Sequence, residues 1–210
     1  MPALIKYWLI FYPKPLYVLQ QILKEATKNK HAELEQLMYV NEIINSTLSL
    51  YQYRQILSTN YLVHGQLENK IHKLVSAENA LTLKLELRKK AALLKKDLLQ
   101  IKAVLPDCKT DNTFINFEDE PAALGALYVL EGATLGGNVI VKKIKAIPAF
   151  IPLDLNFYYY QVYGNNLVAF WKQFCATLNN QPLHVYNQIT EGANNMFDYF
   201  IYVQKKNDTT

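Results

Sequence analysis

Between Pro15 and Pro106 the chain contains no other proline and a single glycine, Gly65. This stretch is dense in Leu, Lys, Glu and Gln, and its apolar residues recur at helical spacing rather than in alternation. The pattern predicts helices near 18–40, 47–76 and 84–104. Ser46 and Thr47 are candidate caps for the second, and Ser76-Ala77-Glu78-Asn79 reads as a turn ahead of the third. A polar segment, Pro106 to Glu118, separates the two halves without the character of a domain linker. Further helices are predicted near 120–146, 165–179 and 184–204, with an irregular, tyrosine-rich connection around Phe157 to Gly164. No internal repeat or low-complexity tract interrupts this plan. The predicted fold class is all-α, a single-domain bundle of about six or seven helices.

Composition narrows the class. At 210 residues and 50% hydrophobic content the chain can bury a core without disulfides or a structural metal. Its 19% of charged residues, against a norm of about a quarter, excludes a disordered or coiled-coil chain. A net charge of +4 is too mild to indicate nucleic acid without a concentrated basic patch. Cys108 and Cys175 match no metal-ligand or redox spacing, so they read as free thiols in a reducing, cytoplasmic setting. Near the amino terminus, Tyr7-Trp8-Leu9-Ile10-Phe11-Tyr12 is stopped by Pro13-Lys14-Pro15. It falls far short of the roughly 20 apolar residues that span a bilayer, and no small-residue cleavage site follows. It is expected to be an arm or strand packed on the domain, or sequence upstream of the natural start. The domain plan is an extension over 1–18, a folded domain over 19–204 and a polar tail over 205–210.

Two helices carry candidate chemistry. In the first, Lys24, Lys28 and Glu35 fall within roughly 60° of His31 at about 100° per residue, while Leu34 and Met38 lie on its other flank. An imidazole between a charged and an apolar edge suits an axial ligand to a flat apolar anion, with the lysines meeting carboxylates at its rim. A solvated helix face explains the same residues. In the second, Gly125, Gly132, Gly136 and Gly137 place four of the seven glycines within one predicted helix, sacrificing roughly 2–4 kcal/mol of helical preference. Gly125, Val129, Gly132 and Gly136 share one narrow strip, and Gly136-Gly137 permits a bend. A tightly packed neighbouring helix accounts for the strip as well as a flat ligand does. The glycine spacing is not that of a dinucleotide fingerprint. His64, Glu68 and His72 recur at i, i+4 and i+8, but without the Glu-x-x-His pairs of a di-iron bundle they read as an ordinary solvated or half-buried face. His184 has no partner nearby in sequence, neither cysteine has a nucleophile's local surroundings, and Lys142, Lys143 and Lys145 suit a helix C-terminus.

Taken together, these two helices resemble those of the haem oxygenase family. Leu23 to Lys28, followed by His31 and Glu35, is similar to the family's proximal helix. Tyr128-Val129-Leu130-Glu131-Gly132-Ala133-Thr134-Leu135-Gly136-Gly137 is similar to its distal helix, in the bacterial type associated with bacteriophytochromes. Arg88 to Leu98, Tyr163-Gly164 and Trp171-Lys172-Gln173-Phe174 add to the likeness, which runs from about Leu19 to Val203. The resemblance implies haem as both cofactor and substrate, opened by O2 and external electrons to biliverdin, iron and carbon monoxide. It makes His31 the axial ligand to the haem iron, places Lys24, Lys28 and Lys172 near the propionates, and sets Glu35 and Val129 about the porphyrin. Gly132 and Gly136 would bring backbone close to the oxygen site. It further implies a ferredoxin or flavodoxin-type electron donor, a bacteriophytochrome as possible acceptor of biliverdin, and no nucleic-acid partner or membrane span.

Two residues depart from the mammalian-type pattern. Ala133 stands where that type has a distal aspartate, so proton delivery would use water held by backbone or by another side chain. Ala176 stands where a propionate-contacting arginine is expected, leaving Lys172 as the basic group of that motif. A haem-storage or haem-sensing protein, and a structural bundle without haem, are the rival readings.

Overall fold

The computed structural model describes residues 18–108, 115 and 117–208; the apolar run Tyr7–Tyr12, and with it the expected arm or strand, lies outside them. Among the described residues there are ten α-helices and no strand, so the all-α class holds with more and shorter helices than the pattern predicts. The helix predicted over 18–40 is divided into α1 (Val18–Ala26), α2 (Lys28–Leu37) and α3 (Val40–Ile44). The first division is a bend at buried Thr27, whose hydroxyl donates back to the Leu23 carbonyl (2.8 Å), an interaction that bends helices. The second is a left-handed residue, Tyr39 (φ 56°), whose hydroxyl donates to Asp208 (2.9 Å).

The long helix α4 (Leu50–Leu74) starts at Ser49 rather than at Ser46 or Thr47. The Ser49 hydroxyl accepts the Gln52 N–H, and the Gln52 side chain accepts the Ser49 N–H, forming a reciprocal capping box. Ser76 to Asn79 is not a turn but the cap and first turn of α5 (Ala77–Leu83), with the Ser76 hydroxyl accepting the Asn79 N–H. Left-handed Lys84 ends that helix, and a 3₁₀ segment (Leu85–Arg88) leads to α6 (Ala91–Gln100). The apolar stretch beyond is α7 (Glu120–Gly132) and α8 (Gly137–Lys145), broken at residues 133–136 as the glycine pair allows. By length and hydropathy Glu120–Lys145 could cross a membrane, but 67% of its apolar 18-residue window is buried inside the fold. After the irregular tyrosine-rich connection come α9 (Leu167–Asn179) and α10 (Tyr186–Asp208), so residues 205–208 of the expected tail extend a helix.

The packing forms two apolar cores. One gathers Leu124, Leu127, Phe174, Ile189, Met196 and Phe200 around α7, α9 and α10. The other gathers Tyr53, Ile56, Leu94, Leu98, Ile144, Phe157 and Tyr159 around α4, α6 and α8. Helices α7 and α10 approach each other backbone to backbone. A Cβ on Gly125 would meet the Ile189 carbonyl oxygen and lie 2.7 Å from the Ala193 nitrogen, while one on Gly192 would meet the Ala122 carbonyl. Gly125 therefore serves helix packing, which separates it from the strip it shares with Gly132 and Gly136 on a helical wheel. Cys108 and Cys175 are both free thiols.

Candidate functional site

A cavity of about 830 Å3 lies where the two cores meet, within the range of small-molecule and cofactor sites. One wall belongs to α1 and α2, with Lys24, Lys28, His31, Leu34, Glu35 and Met38. A second is the α7–α8 bend, with Val129, Gly132, Ala133, Leu135 and Gly136. Ile43 of α3, Ile56 and Asn60 of α4, Tyr159, Tyr160, Trp171, Phe197 and Phe200 complete the enclosure.

The fold brings His31 and the glycine bend to one space although a hundred residues separate them in sequence. Helix α2 is fastened to α10 on either side of His31: Lys30 pairs with Asp198 (2.6 Å) and Lys205 with Glu33 (2.8 Å). The imidazole also stands edge-on to Phe197 of α10, at 5.7 Å and 87°. Burial lowers its pKa, favouring the neutral ring that a metal requires. One turn on, Glu35 Oε1 lies 3.9 Å from His31 Nδ1, beyond a hydrogen bond, and among the described residues this buried oxygen has no hydrogen-bond partner. Burial raises the Glu35 carboxyl to about 7. Lys24 is half-buried and Lys28 exposed at the cavity edge.

Of the residues singled out from sequence, His31, Lys24, Lys28, Glu35, Val129, Gly132 and Gly136 all line this cavity. Lys172 is not brought with them. It is exposed on α9, as is Ala176 one turn later, and neither lines the cavity, whereas Val168 and Trp171 of the same helix do. The His64–Glu68–His72 face is no metal site among the described residues. Instead, His64 Nδ1 and the Glu68 carboxylate lie 2.9 Å apart in the interior, and Glu68 also accepts the Lys90 N–H (2.6 Å).

Several buried polar groups had no signal in the sequence. Glu131, directly before Gly132, accepts from Arg88 (2.5 Å), Lys90 (2.5 Å) and the Tyr163 hydroxyl (2.7 Å), and those two cations hold its carboxyl below the usual range despite burial. Arg88 is itself fully buried, over the faces of Phe170, Phe174 and Tyr163. Asp97 of α6 accepts the N–H groups of Tyr158 and Tyr159 (2.8 Å each), clamping the tyrosine-rich connection behind the cavity. Gly137 lets that connection approach, since a Cβ there would come within 2.5 Å of the Tyr160 carbonyl oxygen.

The test for a flat, iron-bearing anion is met by the residues present. A neutral histidine backed by an unpartnered carboxylate oxygen faces a space bounded by a glycine-rich bend, the walls are largely apolar, and cations stand at one edge. These features define an all-α protein built around a ligand of that kind. The Heme oxygenase family model matches residues 18–206, and the chain belongs to that family, whose members are enzymes that take haem as both cofactor and substrate and open it. Among solved structures, the fold is similar to the NO- and CO-bound heme oxygenase from Neisseria meningitidis (TM-score 0.68, 19% identity, 90% of this chain and 91% of that one). It is also similar to heme oxygenase-1 from the cyanobacterium Synechocystis in complex with heme (TM-score 0.66, 16% identity, 90% and 91%). No curated protein sequence matches the chain.

Proposed function

We propose that the chain opens haem to biliverdin, iron and carbon monoxide, with His31 as the axial ligand. The observation that carries this reading is the placement of His31 and the Gly132–Gly136 bend on one cavity, with Glu35 behind the imidazole. Bound haem supplies the redox-active iron and the oxygen chemistry, driven by external electrons. The chain supplies position and surroundings. Glu35 lies beside the imidazole at 3.9 Å from Nδ1, and the neutral His31 ring offers a nitrogen to the iron. Lys24 and Lys28 offer their ammonium groups to the propionates at the rim. With Lys172 and Ala176 both exposed on α9, the proposed rim rests on the first two lysines.

Val129 provides apolar contact beside the bend. Gly132 and Gly136 present backbone rather than side chain, keeping room for oxygen next to the porphyrin edge. Ala133 also lines the cavity and brings no carboxylate, so any ordered water near the reacting oxygen must be held by another group. The basic rim and net charge of +4 support a small acidic electron donor of ferredoxin or flavodoxin type. The free thiols support a cytoplasmic setting, and the likeness of the 128–137 motif to the bacteriophytochrome-associated type supports a bacteriophytochrome as acceptor of the product.

Purified protein mixed with haemin, ascorbate and air tests this reading. The expected result is loss of the haem absorption band, appearance of biliverdin and release of carbon monoxide. Haem that stays bound and intact would instead identify a storage or sensing protein.

A further inference from the structure

Where the mammalian-type pattern has a carboxylate, this cavity has Ala133, yet its wall is not without polar groups. Asn60 of α4 and Tyr159 of the clamped connection both line it, and the Tyr159 hydroxyl donates to Asn60 Oδ1 (2.9 Å). One N–H of the Asn60 amide donates to the Ile56 carbonyl (2.8 Å). By the inventory of these groups, one Asn60 N–H and one acceptor site on the Tyr159 oxygen remain uncommitted among the described residues. Together they provide one donor and one acceptor. Side by side, these can hold a water that accepts from Asn60, donates to Tyr159, and keeps its second proton for the cavity.

The pair lines the same cavity as Gly132 and Gly136 of the glycine bend. Gly137 packs directly on the Tyr160 backbone, and Tyr159, Tyr160 and Ile140 of α8 share one apolar core. Its geometry is fixed from behind. Asp97 accepts both the Tyr158 and Tyr159 N–H groups, and His64 packs edge-on to the Tyr159 ring at 5.9 Å. Burial, together with Tyr160, Glu131 and Glu68, keeps the Tyr159 phenol protonated, so the direction of its hydrogen bond does not reverse with pH. His64, lowered by burial, is a neutral neighbour.

We propose that Asn60 and Tyr159 are water-positioning residues that replace the missing distal carboxylate, holding the water that gives a proton to the reaction and is reprotonated from solvent. This rests on the reading of the cavity as a haem site. Its test uses the whole chain loaded with ferric haem, with Tyr159→Phe and Asn60→Leu compared with wild type. The pH midpoint at which the iron-bound water loses its proton, read from the visible spectrum, should move by about half a unit or more, the equivalent of one hydrogen bond. Hydrogen peroxide released per O2 consumed should rise several-fold as biliverdin falls. A crystal structure of the haem-free protein should show water within hydrogen-bond distance of both Asn60 Nδ2 and the Tyr159 oxygen. Variants that fold and bind haem with unchanged midpoint and unchanged coupling would overturn the assignment, as would a crystal structure with no such water. A merely structural pair would lower melting temperature and leave the midpoint alone. A wild-type protein that binds haem without opening it would refute the proposed activity, while the midpoint would still report on the water.

Discussion

A methyl group at Gly125 tests how the glycines divide between packing and function. In Gly125→Ala the new Cβ would meet the Ile189 carbonyl and the Ala193 nitrogen, both backbone atoms of α10 that cannot swing aside as a side chain would. Relief requires α7 and α10 to separate, and overpacking of this kind costs about 1–3 kcal/mol. Alanine's better helical preference and the reduced entropy of the unfolded chain return about 0.5–1 kcal/mol, since Gly125 has no positive φ. Because the clash is with backbone atoms, the upper part of the overpacking range applies, and the net loss is about 1–2.5 kcal/mol, which for a domain of this size lowers the melting temperature by about 2–10 °C. Gly192→Ala strikes the same contact from the other side, so the double variant should lose less than the sum. Gly132→Ala is the contrast. It lies at the end of α7 with no positive φ and faces the cavity, so the haem-free variant should melt at or slightly above wild type while ring opening slows. Thermal unfolding followed by circular dichroism at 222 nm, paired with biliverdin yield per bound haem, reads both effects. A Gly125→Ala protein melting at or above wild type would refute the packing argument.

Other consequences follow from the buried and rim charges. Glu131→Gln leaves Arg88 and Lys90 buried without their carboxylate and should cost about 3–5 kcal/mol in urea unfolding; a loss under about 1 kcal/mol would mean the cluster is not coupled as the geometry implies. Burial raises the Asp97 carboxyl to about 6, well above the ordinary range of an aspartate, against the pull of its two backbone donors. A raised carboxyl stabilises the native state while protonated and loses that advantage as pH climbs towards its folded value. The stability of wild type relative to Asp97→Asn should therefore fall by about 3 kcal/mol between about pH 4 and 6, and a flat difference would contradict this. Lys24→Ala and Lys28→Ala should each weaken haem binding several-fold, as partly exposed ion pairs do, whereas Lys172→Ala should leave affinity unchanged.

Much of the architecture was legible in the chain because proline and glycine mark where helices can run. Among the described residues the span from 18 to 100 is largely helical, and the break at 133–136 falls where Gly132, Gly136 and Gly137 allow it. What subdivides the helices was not legible. The bend at Thr27 depends on a hydroxyl buried against its own helix, and the left-handed turn at Tyr39 leads to a hydrogen bond with a residue 169 positions away. On the site, His31 and the lysines were readable because they lie on one face of a short segment. The division of the glycine strip was not, since a helical wheel places Gly125 and Gly132 together while only tertiary packing sends one to α10 and the other to the cavity. Arg88, Lys90 and Glu131 look in sequence like solvated charge and are among the most buried side chains of the fold. Asn60 and Tyr159, 99 residues apart, meet only through the packing of α4 against the connection that Asp97 clamps.

The central claim is that His31 ligates haem across the cavity from the glycine bend, and the most direct measurement is the visible spectrum of haem titrated into His31→Ala. The expected result is loss of the histidine-ligated spectrum, unchanged helical content by circular dichroism, and partial recovery on adding imidazole, which can enter the space the side chain leaves. A variant that keeps the wild-type haem spectrum without imidazole would contradict it.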